Sequence, residues 1–92
     1  MTEMNVLTEE QQEKLSRLPS SGPVGRYQVI VDLRSHGQRK ATKAHITYVR
    51  ATSEQRARMV GYFSVKNLFG PLYRKKGLIV SNASAYLQGV IK

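Results

Sequence analysis

The stretch "RYQVIVDLRSHGQRKATKAHITYVR" (residues 26–50) contains two runs rich in β-branched and aromatic residues, separated by seven residues without a large apolar side chain. Alternation with period two in RYQVIVDL (26–33) and ATKAHITYVR (41–50) predicts two antiparallel strands, with RSHGQRK (34–40) as the loop between them. Their register is set by the pairing that gathers apolar side chains on one face. Placing Val31 opposite Ala44, Val29 opposite Ile46 and Tyr27 opposite Tyr48 does so. The same register sets Asp32 across from Lys43 and puts His45 on the other face, opposite Ile30. A slip of one residue brings Lys43 and His45 against apolar partners and breaks that face. Gly37 provides a residue that accepts positive φ in the loop.

Upstream, LTEEQQEKLSRL (7–18) predicts a short helix, with Thr8 and Gln11 at capping-box spacing. Glu9 and Glu10 fall at the positive end of its dipole and Arg17 near the negative end. Leu7, Leu15 and Leu18 form a narrow stripe, so this helix needs a partner surface. PSSGPVG (19–25), with two prolines and two glycines, reads as a linker. The chain is thus expected to divide into an acidic helical arm (1–18), the linker (19–25) and a basic body (26–92).

Downstream, TSEQRARMVGYFSVKNLFG (52–70) predicts a helix over about 53–69, opened by a Thr52/Gln55 capping box and stopped at Gly70-Pro71. Gly61 weakens it, and GYFSV leaves a strand as the alternative there. PLYRKKGLIVS (71–81) reads as a second hairpin turning at Lys75-Lys76-Gly77. SNASAYLQGVIK (81–92) reads as a closing helix that buries Ala85, Val90 and either Tyr86 or Leu87. The expected fold is one small α+β domain.

Charge is the strongest functional signal. The 92 residues carry 15 Lys and Arg against 6 Asp and Glu, a formal charge of +9. Four of the six carboxylates lie within the first 13 residues; all 15 cations come after them, accompanied only by Asp32 and Glu54. A body so charged repels itself unless it meets a polyanion, and its field steers one in. Nucleic acid, DNA or RNA, is the expected partner. The alternative is an assembly subunit or inhibitor whose basic surface docks on an acidic protein, or whose acidic helix meets a second copy of the chain in a homo-oligomer.

Other classes lack their residues. Without cysteine there is no disulfide, thiolate zinc site or thiol nucleophile. The acidic N-terminus has no apolar core and no run approaches about 20 apolar residues, so an intracellular, cytoplasmic protein without membrane contact is expected. His36 and His45 with a lysine could in principle support general acid–base cleavage of RNA, but nothing fixes their geometry, and no enzymatic activity is expected. Two histidines nine residues apart make no usual metal set, and the glycines form no phosphate-binding motif, so neither metal nor cofactor is expected.

The candidate nucleic-acid contacts are Arg34, His36, Arg39, Lys40 and Lys43 around the first loop, Arg50 at the strand–helix junction beside Arg56 and Arg58, and Arg74, Lys75 and Lys76 on the second turn. Charged tips equally serve solubility and guard strand edges; their joint occurrence with so little acid favours contact. Tyr27, Tyr48, Tyr62 and Phe63 are assigned to the core. Tyr73, flanked by Leu72 and three cations, is the aromatic expected to stack on bases.

Overall fold

The computed structural model describes residues 7–18 and 22–90. Its elements run α1 (Glu9–Ser16), β1 (Gly25–Ser35), β2 (Ala41–Ala51), α2 (Glu54–Lys75) and β3 (Leu78–Val90). The three strands form one antiparallel sheet in the order β2-β1-β3, so β1 is central and α2 carries the chain from one edge to the other. The α+β class and the first hairpin are as expected from the sequence.

The helix α1 forms as its residues dictate. The Thr8 hydroxyl accepts from the Gln11 N–H at 3.2 Å, and the Gln11 side chain accepts from the Thr8 N–H at 3.1 Å. Its half-buried stripe faces α2, where Asn67 Nδ2 donates to Gln11 Oε1 at 2.7 Å and the Arg56 guanidinium donates to the Leu18 carbonyl at 2.8 Å. This is the partner surface that so narrow a stripe requires. Residues 1–6 of the acidic arm, 19–21 of the linker and 91–92 of the expected closing helix lie outside the described residues. The strand β1 already begins at the linker's last glycine, Gly25.

Register departs from expectation by one residue over most of the hairpin. Val31 pairs with His45, Val29 with Thr47, Tyr27 with Val49 and Leu33 with Lys43, while Asp32 stands opposite Ala44. Beside the loop, Arg34 pairs with Ala41, which is the expected register. Between these pairs Thr42 is an extra residue on β2, a bulge that turns every later side chain to the opposite face. His45, Thr47 and Val49 therefore lie on the α2 side, half-buried, whereas Ile46 and Tyr48 are on the outer face, exposed. Tyr48 is not a core residue, and His45 is not a surface one.

Expectations for the second half of the chain are corrected as well. The helix caps on Ser53, whose hydroxyl accepts from the Arg56 N–H at 3.2 Å; Thr52 Oγ1 is buried without a hydrogen-bond partner. It also continues past 69 through Pro71 to Lys75, so residues 60–65 are helical and 71–76 form no strand. Gly70 makes this passage tolerable, because the clash of a proline ring with the preceding Cβ is absent there. The turn does fall at Lys76-Gly77, with Gly77 at φ 79°. Beyond the turn runs one long strand: Leu78–Val90 pairs antiparallel with β1 along its length, and no closing helix forms over 81–90.

The core lies between α2 and the inner face of the sheet. Tyr27, Val29, Val31 and Leu33 of β1 meet Leu78, Val80, Ala83 and Ala85 of β3 beneath Ala57 and Val65 of α2. Small residues at i, i+4 spacing (Ala57, Gly61) let the helix settle close to the sheet. A Cβ on Gly61 would lie 2.5 Å from Val29 Cγ1 and 2.8 Å from Val29 Cβ. That contact, not helix propensity, accounts for the glycine. Alanine gains about 1 kcal/mol over glycine in a helix interior, but overpacking costs about 1–3 kcal/mol. Gly61→Ala is expected to lower unfolding free energy by up to about 2 kcal/mol in urea titration, with Val29→Ala in the same chain recovering part of the loss.

Candidate nucleic-acid interface

The two basic turns are expected from sequence only as separate tips; the structure brings them together. β3 leaves its turn alongside the end of β1, pairing Ser35 with Leu78, and the His36 N–H donates to the Gly77 carbonyl at 3.1 Å. Positive φ at Gly37 (85°) and Gly77 (79°) lets both chains reverse at this end. The first loop is closed by the Gln38 N–H donating to the Ser35 carbonyl at 3.0 Å and by the Arg34 guanidinium donating to the Gln38 carbonyl at 2.9 Å.

Eight of the ten candidate residues meet here. Arg34 is half-buried at the end of β1; His36, Arg39 and Lys40 are exposed on the loop and Lys43 at the start of β2, and Arg74, Lys75 and Lys76 are exposed at the end of α2 and its turn. Among the described residues, ion pairs join Lys14 to Glu10 and Arg17 to Glu13 within α1, and no carboxylate pairs with any of these seven Lys and Arg. Part of the charge has a local reason. Arg74 and Lys75 stand at the carbonyl end of α2, where the helix dipole favours cations. That end carries only about half an elementary charge, too little to balance the cluster, so an anion has an unneutralised field to enter.

The remaining two candidates sit elsewhere. Arg50 is near the far end of β2 on the outer sheet face, directly across from Arg26. Tyr73 is half-buried on the inner side, its hydroxyl 2.5 Å from His45 Nδ1 and its ring edge-on to the imidazole at 5.9 Å. Phe69 closes this cluster, its ring centroid 4.8 Å from that of His45. Phe69 and Tyr73 extend the i, i+4 stripe of Ala57, Gly61 and Val65, which drifts round the helix toward β2 and meets the imidazole. Tyr73 therefore packs the helix end onto the sheet rather than standing free beside the cations.

The aromatics that do stand free are ones that sequence reasoning assigns to the core or leaves open. Tyr48 and Tyr86 are 52% and 53% exposed on the outer face, both paired with Gln28 of β1. The Gln28 carboxamide donates to the Tyr48 hydroxyl at 3.3 Å, and the Arg26 guanidinium lies 5.2 Å from the Tyr48 ring centroid. Reading 78–90 as a strand is the signal that finds them, since alternation then places Ser84 and Tyr86 on the face opposite Ala83 and Ala85.

The two histidines are not brought together. His36 caps the end of β1, while His45 stands opposite Val31, five residues back, which is about 16 Å along the sheet. Among the described residues no three His, Cys, Asp or Glu side chains gather as metal ligands. A groove of about 330 Å³ between α2 and β3, lined by Arg58, Met59, Tyr62, Phe63, Ser81 and Asn82, brings together neither carboxylate nor imidazole. No described helix is long and apolar enough to cross a membrane. Compared with family models, with curated proteins and with solved structures, the chain matches none.

Replacing Tyr73 by Phe removes the hydroxyl bonded to His45 and keeps the ring. The expected result is a loss of about 0.5–1.5 kcal/mol in unfolding free energy, with affinity for nucleic acid within about twofold of the parent in the same buffer; a stacking role for Tyr73 predicts the same unchanged affinity for Phe but a large loss for Leu.

Proposed function

We propose that this protein is a small non-enzymatic nucleic-acid-binding domain that holds its ligand chiefly through the phosphate backbone. The observation that carries the reading is the His36–Gly77 backbone bond, which fastens two basic turns side by side. It sets Arg39 and Lys40 next to Arg74, Lys75 and Lys76 on one end of the sheet, without a carboxylate partner among the described residues. Single charged tips are common solubility devices. Two tips locked together raise the local field instead of spreading it, and self-repulsion of that kind destabilises a fold unless a polyanion relieves it.

The cations here lie on turns and a helix end, with no helix presented for insertion into a groove. Such a surface suits phosphate contact, which positions the ligand without reading its sequence. Counterion release then governs affinity.

Binding to duplex DNA, single-stranded DNA and RNA, followed by fluorescence anisotropy across a salt series, tests this reading. Affinity is expected to fall linearly on logarithmic axes. Replacing Lys75 and Lys76 together by Gln is expected to lower the slope by roughly 1.5, at about 0.7–0.9 for each phosphate no longer neutralised. Undetectable binding to all three ligands at about 50 mM salt overturns the proposal. A partner that survives nuclease treatment in a pull-down turns the basic end toward an acidic protein instead.

A further inference from the structure

No described helix lies on the outer face of the sheet, and its side chains are arranged in cross-strand rows. At one end Arg50 and Arg26 face each other, with Gly89 beyond. The next row is Tyr48, Gln28 and Tyr86; the next is Ile46, Ile30 and Ser84; then come Ala44, Asp32 and Asn82. Two half-exposed tyrosine rings thus flank a carboxamide, about 10 Å apart across the central strand. One row away are two directly opposed guanidinium groups, neither in an ion pair among the described residues.

We propose that this face takes the unpaired bases of a single-stranded nucleic acid, with Tyr48 and Tyr86 as the stacking surfaces. The inference rests on the phosphate-binding reading and names its ligand class. Like charges directly opposed across two strands destabilise a sheet, so the Arg26–Arg50 pair calls for an anion, which a phosphate at the end of the tyrosine row supplies. Exposed tyrosines offer π faces that accept any base, and adjacent arginines add cation–π and phosphate contact. Gln28, held at the Tyr48 hydroxyl, offers a donor and an acceptor to a base edge between the rings. A base paired inside a duplex cannot lie flat on these rings, which selects single strands.

A second copy of the chain is the competing occupant. The face carries Arg26, Arg34 and Arg50 against Asp32 alone, so two such faces repel each other. Its large apolar side chains are few and divided: Ile30 and Ile46 share one row, and Ile79 stands apart from them beside Arg34.

The test uses the full chain with oligo(dT) and oligo(U) of about 12 nucleotides, within the site sizes of such surfaces, and a duplex of equal length, all by anisotropy. Tyr48→Leu and Tyr86→Leu are each expected to weaken binding to the single strands by about tenfold and to leave duplex affinity within about twofold. Tyr48→Phe and Tyr86→Phe, which keep the ring, are expected to retain parent affinity for single strands. The oligo(dT) and oligo(U) arms separate DNA from RNA as the source of the bases. Single-strand affinity unchanged in both Leu variants overturns the proposal while leaving the phosphate-binding reading intact. So does an equal loss on duplex and single strand, or failure of the Phe variants to retain binding. Concentration-dependent dimerisation that the Leu variants abolish, seen by sedimentation, assigns the face to a second copy and also overturns it. Absence of binding to every ligand removes the phosphate-binding reading as well.

Discussion

The contact of Gly61 with Val29 sets the geometry on which the rest of the domain depends. It draws α2 against β1 so closely that no Cβ fits between them. With the helix seated there, the odd-numbered residues of β1 are committed to the interior, and Val29 and Val31 are fully buried. Among the described residues no second layer covers the other side of the sheet. The even-numbered residues of β1, and whatever β2 and β3 place beside them, must therefore live at a solvated surface. A three-stranded sheet with a helix packed on one side only has an open face, and the exposure of Ile46, Tyr48 and Tyr86 on it is a consequence of where Gly61 lets α2 lie.

Local chemistry was legible wherever one short segment decides its own structure. The Thr8/Gln11 capping box, the two strands of the first hairpin, positive φ at Gly37 and the turn at Gly77 are all readable from neighbouring residues. The features that could not be read depend on interactions made elsewhere in the chain. Thr42 carries no bulge signature of its own, yet its insertion decides which side of the sheet His45 and Tyr48 occupy. Pro71 ordinarily stops a helix; here Gly70 before it and the anchorage of Tyr73 on His45 carry α2 one turn further.

The strand β3 shows the same limit most plainly. SNASAYLQGV is rich in small residues with weak strand preference, and alanine favours helix. Pairing with β1 along eleven positions outweighs that preference. The small residues then have a purpose: Ala83 and Ala85 sit buried beneath α2, where larger side chains would hold the helix away from the sheet. Misreading this segment as a helix hides Tyr86, and with it the cross-strand row that joins it to Gln28 and Tyr48. The basic clusters, by contrast, were visible as residues but not as a site, because the bond that joins them links His36 to Gly77 across the sheet.

Charge placement shows how this small fold divides its tasks. The glutamates of α1 do not quench the body: Glu10 and Glu13 pair with Lys14 and Arg17 of their own helix, and those pairs are exposed and contribute little. Cations of the sheet collect at its two ends instead, Arg26 and Arg50 at one and the paired turns at the other, separated along β1 by about 26 Å of tyrosine, isoleucine and amide. Local rules of sheet stability argue against opposed arginines and against clustered like charges, and places where a sequence breaks such rules are where function is expected to reside. The two violations lie at opposite ends of the sheet, with Arg26 and Arg50 at one end of its uncovered face and Arg34 leading into the paired turns at the other. A flexible polyanion spanning that face would relieve both, whereas a compact acidic ligand would meet only one.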